Sequence, residues 1–226
     1  MRLDNWAYYQ RNTDDSEQWQ YRLRFDIPFR FASGWEFTQR AYLPLLLYTN
    51  RIGPANPDGG WAAGLGDWFF DEYFTTPELT KNGRGLLGVR FVLPTGGRSP
   101  FGSGQYQWAP CVGFAYDMPE IGVRIAPLAR YFMSFHAGED NAGQVRRLDL
   151  YTTVSKALGN GWTLRIYDEN PISYNNVSQK WFVPLDAQLV KRARKDLEFA
   201  FGAAYGLVRD DPRYLTQAYA RVSLYF

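Results

Sequence analysis

Cysteine and histidine are nearly absent, with Cys111 and His136 the sole representatives among 226 residues. One cysteine excludes an intrachain disulfide. One of each also makes a Cys/His metal centre implausible, and any His-dependent acyl transfer must use His136. Long apolar runs are missing too: "LPLLLY" is the longest greasy patch, far short of the roughly 18 residues of a membrane helix. Charge of one sign is lacking. The formal net charge is +2, and the arginines are interleaved with acids and apolar residues. No basic patch points to nucleic acid. The chain opens MRLDNWAYYQ without an apolar signal-peptide core, so any export signal is expected to have been removed or never to have been there.

What is abundant is aromatic: eight Trp, sixteen Tyr and sixteen Phe, 18% of the chain. A mean hydropathy of −0.40 hides this, because averaging erases alternation. In "QWQYRLRFDIPFRF", Trp19, Tyr21, Leu23, Phe25, Ile27, Phe29 and Phe31 alternate with a set that includes Arg22, Arg24, Asp26 and Arg30. Period two fits a β-strand with one apolar and one polar face. After "ASG" the pattern returns in Trp35 to Tyr48, with Trp35, Phe37, Ala41, Leu43, Leu45 and Leu47 on one face and Glu36, Thr38, Arg40 and Tyr42 on the other. Further strands are predicted at Leu65–Thr76, Arg84–Pro94, Gln105–Tyr116, Ile121–Phe135, Arg146–Lys156, Gly161–Asp168, Gln179–Val190, Asp196–Val208 and Tyr214–Phe226, with Leu3–Gln10 added at the start. About twelve strands result, of lengths suited to a membrane barrel.

The connections alternate. "ASG", "PELTKNG", "DMPE", "LGNG" and "KRARK" are mostly short, whereas "TNRIGPANPDGGWAAG", "TGGRSPFGSG", "HAGEDNAGQV" and "ENPISYNNVS" are longer and polar or rich in Gly and Pro. An up-and-down barrel with tight turns at one rim and loops at the other requires that asymmetry. A lipocalin-like barrel with its apolar face inward is the soluble rival. It would crowd dozens of large apolar side chains into one interior. Here the polar face is the one that mixes small with large residues, as at Ala109, Cys111, Gly113 and Ala115, and again at Ala200, Gly202, Ala204 and Gly206. On the apolar face Trp19, Trp35, Trp68, Trp108, Tyr116, Trp162, Trp181 and Tyr214 sit toward strand ends, as interfacial girdles demand. The expectation is an all-β fold, a transmembrane up-and-down antiparallel β-barrel of about 12 strands spanning residues 1–226 as one domain in a bacterial outer membrane.

Some positions strain this pattern. Pro110, Pro127 and Pro184 fall within predicted strands, where bulges are expected. Glu72 shares a face with Trp68, Phe70 and Phe74, which implies either a register shift near Phe69–Phe70 or an inverted parity there.

The order of motifs "FDIPFRFASGWEFTQRAYLPLL", "GLGDWFFDEYFTTP" and "LLGVRFVLPTGGRSPFGSGQYQWAPCVGFAY" resembles the outer-membrane family associated with the MetA pathway of phenol degradation, and most nearly its sister group of bacterial proteins labelled neuromedin U. The shared marks are an I-P segment before a W-containing turn, Gly64/Gly66/Asp67, and Pro94–Thr95–Gly96 with Gly102–Ser103–Gly104, in a likeness running from about Gln18 to Phe226. The resemblance implies an exported barrel that passes hydrophobic or aromatic compounds. It supplies no established binding residues. The terminal "YARVSLYF", with Ala220, Val222, Leu224 and Phe226 on one face, resembles the assembly signal of bacterial outer-membrane barrels and implies the barrel-assembly machinery as a partner, besides membrane lipid.

Candidate lumen-lining residues follow from the polar parity: Arg22, Arg24, Asp26, Glu36, Arg40, Asp67, Asp71, Arg90, Arg124, Arg130, Arg147, Asp149, Arg165, Asp186 and Arg221, with Arg30 and Glu198 on the same face. Charges in a membrane protein need water or one another. Two readings stay open: a narrow, slightly cationic path for small solutes, or a salt-bridged lumen that only stiffens the barrel. A third is an outer-membrane lipid hydrolase using Ser134 and His136, two apart on one strand and so on one face, although that face is the polar one. "TGGRSPFGSG" lacks the Lys-Ser/Thr ending of a phosphate loop. Glu139 and Asp140 in "GEDNAG" lack the ligand period of a calcium loop. No catalytic residue, cofactor or metal is expected, and the chain is read as a non-enzyme.

Overall fold

The computed structural model describes residues 1–137, 143–211 and 213–226. Its strands are β1 (Arg2–Arg11), β2 (Glu17–Arg30), β3 (Glu36–Thr49), β4 (Ala62–Gly64), β5 (Trp68–Thr75), β6 (Gly83–Leu93) and β7 (Gln105–Met118). Then come β8 (Val123–Ala137), β9 (Arg146–Gly159), β10 (Trp162–Ile166), β11 (Ile172–Asn175), β12 (Lys180–Arg194), β13 (Leu197–Arg209) and β14 (Thr216–Tyr225). Two pairs of these segments are halves of single staves. β4 and β5 both pair with β3, against Leu47–Thr49 and Glu36–Tyr42 respectively. β10 and β11 both lie between β9 and β12. Twelve staves therefore close into an antiparallel barrel, sealed where β1 pairs with β14 from Arg2↔Tyr225 to Arg11↔Thr216. Closure leaves no edge strand. The termini meet at one end, where the Met1 ammonium donates to the Phe226 carbonyl at 3.1 Å. The tightest turns, at 119–122, 160–161 and 195–196, share that end, and the longest connections, 50–61 and 94–104, occupy the other together with short turns at 12–16 and 176–179.

The alternation read from β2 sets the faces. Trp19, Tyr21, Ile27 and Phe29 are exposed on the outer wall, while Arg24 and Asp26 are buried within. Trp35, Trp108, Tyr116, Trp162 and Trp181 are also exposed on the outside. Tyr214 is a correction. It is buried, with its ring stacked edge-on against Phe182 at 4.9 Å.

Bulges explain where simple parity fails. Opposite Tyr21 and Arg22, the register of β3 skips Leu45, so Leu45 and Leu46 both face out and Leu47 turns in. The expected bulge at Pro184 is present, with Leu207 as the extra residue on β13. Pro110 and Pro127 need none. The β7–β8 register is unchanged across both, and the ladder simply drops the pairs of Ala109–Pro110 and Phe114–Ala115. Each proline keeps its pairing with the other neighbour, Val89 or Thr152, so only one side of the strand loses bonds. No register shift occurs in β5. Glu72 faces outward opposite Gln39, whose amide donates to it at 3.3 Å. The loop expected over "ENPISYNNVS" contains a short strand: β11 forms there and leaves a turn at 176–179.

Small interior residues are sites over which rings fold. Gly202 lies opposite Tyr219, and a Cβ on it would stand 2.2 Å from that ring. Gly202→Ala is expected to displace Tyr219 from Asp186, to which its hydroxyl donates at 2.8 Å, and to lower stability by about 1–3 kcal/mol. A urea-unfolding midpoint equal to wild type would contradict this packing.

Candidate functional site

The barrel interior is built from arginines, carboxylates and aromatic rings. Near the terminus end Arg24 pairs with Asp4 and lies 3.6 Å from Asp26, which Arg40 grips through two nitrogens at 2.6 and 2.9 Å. Arg221 pairs with Glu198, and Arg165 with Asp168 at 3.3 Å. At mid-height Asp71 is fully buried and takes Arg90 at 2.5 and 2.7 Å. Tyr73 donates to Asp71 at 2.7 Å and accepts from Arg130 at 2.6 Å, linking β5 to β8 across the interior. Toward the loop end Arg147 grips Asp149 at 2.8 and 3.1 Å, with Ser173 donating at 2.7 Å and Arg213 standing 3.5 Å away. Arginine suits these pairs because its planar fork matches a carboxylate side-on.

Rings separate the guanidinium groups. Four of them, on Arg22, Arg24, Arg40 and Arg90, stand 4.8–5.8 Å from the Tyr42 ring. Face contacts of that kind accommodate cations that a bare cluster would repel. Trp6, Tyr8 and Tyr219 form a buried aromatic cluster on the closing staves.

The rim residues differ. Arg30 and Glu36 pair at the terminus end with the arginine side chain 83% exposed, and Arg124 and Asp117 pair there at 3.4 Å, both about half exposed. Asp67 sits in the break between β4 and β5, accepting from the Gly96 and Ser103 amides and the Ser103 hydroxyl. The P-T-G and G-S-G motifs thus fold around one carboxylate.

The second broken stave contributes a residue that strand parity does not reveal. Between β10 and β11, Tyr167 adopts a left-handed backbone with φ of 53° and Glu169 is carried into the interior. Glu169 Oε1 accepts from Arg22 Nη2 and from the Tyr8 hydroxyl, each at 2.7 Å. Arg22 itself also donates to Tyr8. β2 lies five staves round the wall from this break, so the bridge crosses the barrel. Asp186 anchors the crossing segment, accepting from the Glu169 and Asn170 amides at 3.3 and 3.4 Å and from the Asn170 side chain at 2.9 Å. In the sequence, Pro171 directly after Asp168–Glu169–Asn170 was the available signal, since a proline in a closed sheet interrupts its strand.

Space remains on both sides of this bridge. A hollow of about 320 Å³ toward the terminus end and one of about 370 Å³ toward the loop end share Arg22, Arg90, Tyr151 and Glu169 as their common wall. A third, of about 470 Å³, opens at the terminus end and shares Ala126 and Leu128 with the first.

The serine–histidine arrangement does not form. A bulge at Phe135 separates the register of Ser134 from that of His136, which turns out beside the Tyr106 ring at 5.8 Å. Ser134 stays on the inner side and accepts from the Val145 amide at 3.0 Å. The acidic loop with Glu139 and Asp140 lies outside the described residues. Among the described residues no cluster of three metal-ligating side chains occurs.

A closed, antiparallel, aromatic-girdled barrel of this kind has the fold of outer-membrane β-barrel proteins. No known protein family and no curated protein matches the chain. Solved structures do. An outer membrane channel from Pseudomonas putida F1 is 10% identical, with a TM-score of 0.75 over 100% of this chain and 94% of that one. The KdgM porin is 10% identical, with a TM-score of 0.62 over 100% and 99%. The NanC porin is 13% identical, with a TM-score of 0.61 over 99% and 98%. At such identities the likeness is one of fold.

Proposed function

We propose that the chain is an outer-membrane channel that passes small hydrophobic or aromatic solutes passively through the barrel interior. The termini and tight turns face the periplasm. The observation that carries this reading is the series of three hollows along the barrel, each sharing lining residues with the next. A filled, purely structural barrel has no use for them. The inward charges line this path, and the ring-covered guanidinium groups give it a cationic, aromatic surface suited to flat solutes. The fold shared with a Pseudomonas putida channel and with porins supports the same role, as does the resemblance of the motif order to barrels linked with phenol degradation. Lipid surrounds the exposed apolar wall. The apolar outer face of β14, on which Val222 is exposed, engages the assembly machinery.

The rival reading is a closed barrel acting as a structural element or assembly partner. The Arg22–Glu169 bridge between two hollows favours it. Single-channel recording in planar bilayers separates the two. Wild type is expected to conduct weakly with an anion preference. Arg24→Ala removes a long cationic stem from the hollow nearer the terminus end, so conductance should rise and anion preference fall. Silence from both proteins would establish the closed barrel.

A further inference from the structure

Glu169 occupies a position that a bound anion would fill. We infer that it is a built-in occupant of an anion site on Arg22, and that an aromatic monocarboxylate displaces it there and so opens the passage between the two inner hollows. This rests on the channel reading.

The geometry of Arg22 carries the inference. Arg40, Arg90 and Arg147 each hold their carboxylate side-on through Nε and Nη2, at distances between 2.5 and 3.1 Å. Arg22 gives Glu169 only Nη2, and its buried Nε has no hydrogen-bond partner among the described residues. An incoming carboxylate can take both nitrogens, which makes it a stronger ligand than the resident one. Its charge replaces that of Glu169, so Arg22 is never left uncompensated in the interior. A neutral molecule of the same shape offers no such exchange.

The surroundings fix the rest of the ligand. The Arg22 guanidinium stands 4.6 Å from the Tyr8 ring, 5.0 Å from Tyr42 and 5.5 Å from Trp6. A flat ring attached to the carboxylate meets aromatic walls there. Hollows of about 320 and 370 Å³ on either side leave room for a single-ring acid.

Displacement needs only a side-chain rotation. The backbone of the crossing segment is pinned by Asp186, and the Thr153 hydroxyl donates to the Tyr167 carbonyl at 2.8 Å. Once released, the Glu169 carboxylate turns into the hollow lined by Arg24, Arg130 and Arg165.

Benzoate and its neutral isostere benzamide test this on the full chain, by calorimetry in detergent and by solute flux and reversal potential in reconstituted membranes. Wild type should bind benzoate and not benzamide. Glu169→Gln, which removes the competing charge, should bind benzoate about tenfold more tightly and raise anion selectivity. Arg22→Gln removes both the charge and the fork, and should abolish the preference for the acid. Gel mobility before and after heating verifies that each variant is folded. Equal binding of acid and amide by wild type, or identical benzoate affinity in wild type and Glu169→Gln, would overturn the site. Should Glu169→Gln fail to fold, retention of the benzoate preference by Arg22→Gln overturns it alone. Calorimetry reports on the site even if no protein conducts, so a failed channel reading and a failed anion site give different results.

Discussion

Replacing Asp71 with alanine is expected to cost about 3–5 kcal/mol of folding stability, because it strands several donors in a buried network. Asp71 is fully buried and receives two bonds from Arg90 and one from Tyr73. Arg130, 4.0 Å away, depends on the same charge. Without it, the Arg90 and Arg130 guanidinium groups are left in a ring-lined space without their carboxylate, whereas Arg40, 5.2 Å from Tyr73, keeps Asp26. Glu36→Ala is the control. Its partner Arg30 is an exposed rim side chain, so the loss should be about 0–1 kcal/mol. Urea titration of barrels refolded in vesicles, read by gel mobility, measures both. The double variant Asp71→Ala/Arg90→Ala should recover part of the loss, since it removes one stranded cation with its partner. Equal midpoints for Asp71→Ala and Glu36→Ala would mean that the interior network contributes no more than a surface pair.

The same network shows what the amino-acid sequence reveals and what it conceals. In β2 every second residue from Trp19 to Phe29 is large and apolar, and the residues between them are charged or polar except Pro28, so its faces are legible from period two alone. The inward position of Arg24 and Asp26 follows from that pattern. In β3 the same reasoning holds up to Pro44 and then inverts, because Leu45 is a bulge. A bulge is decided by cross-strand pairing with β2, which no local composition records. The inversion after Phe135 has the same origin, and it is what takes His136 away from Ser134. On β1 aromatics stand on both faces, Trp6 and Tyr8 inside and Tyr9 outside against Trp19, so ring size alone does not mark the interior there. Glu169 was hidden for a different reason. It lies where a stave is broken, and parity has no meaning outside a strand. Of the bridge across the barrel, Arg22 is thus legible from alternation and its partner Glu169 is not.

Arginine placed on the outer wall should be costly in proportion to depth, and strand β7 supplies the ruler. Trp108 and Tyr116 are exposed on its outer face eight residues apart, with Val112 midway and 56% exposed. At roughly 3.4 Å per residue the two aromatics are roughly 27 Å apart along the strand. Tilted by about 40°, that spans a height of about 21 Å, close to the roughly 25 Å apolar band of a membrane barrel. Val112→Arg therefore puts a guanidinium near the bilayer midplane and is expected to lower stability by about 2–4 kcal/mol, whereas Tyr116→Arg at the girdle should cost about 0–1 kcal/mol. Phe114→Arg should fall between them. Stability is read from urea titrations in vesicles, with the same variants repeated in detergent, where the gradient should shrink because no fixed apolar slab remains. A flat series in vesicles would refute a lipid-facing wall. A graded one fixes the direction of every side chain on β7, and with it places Cys111 and Gly113 on the inside, where the hollows lie.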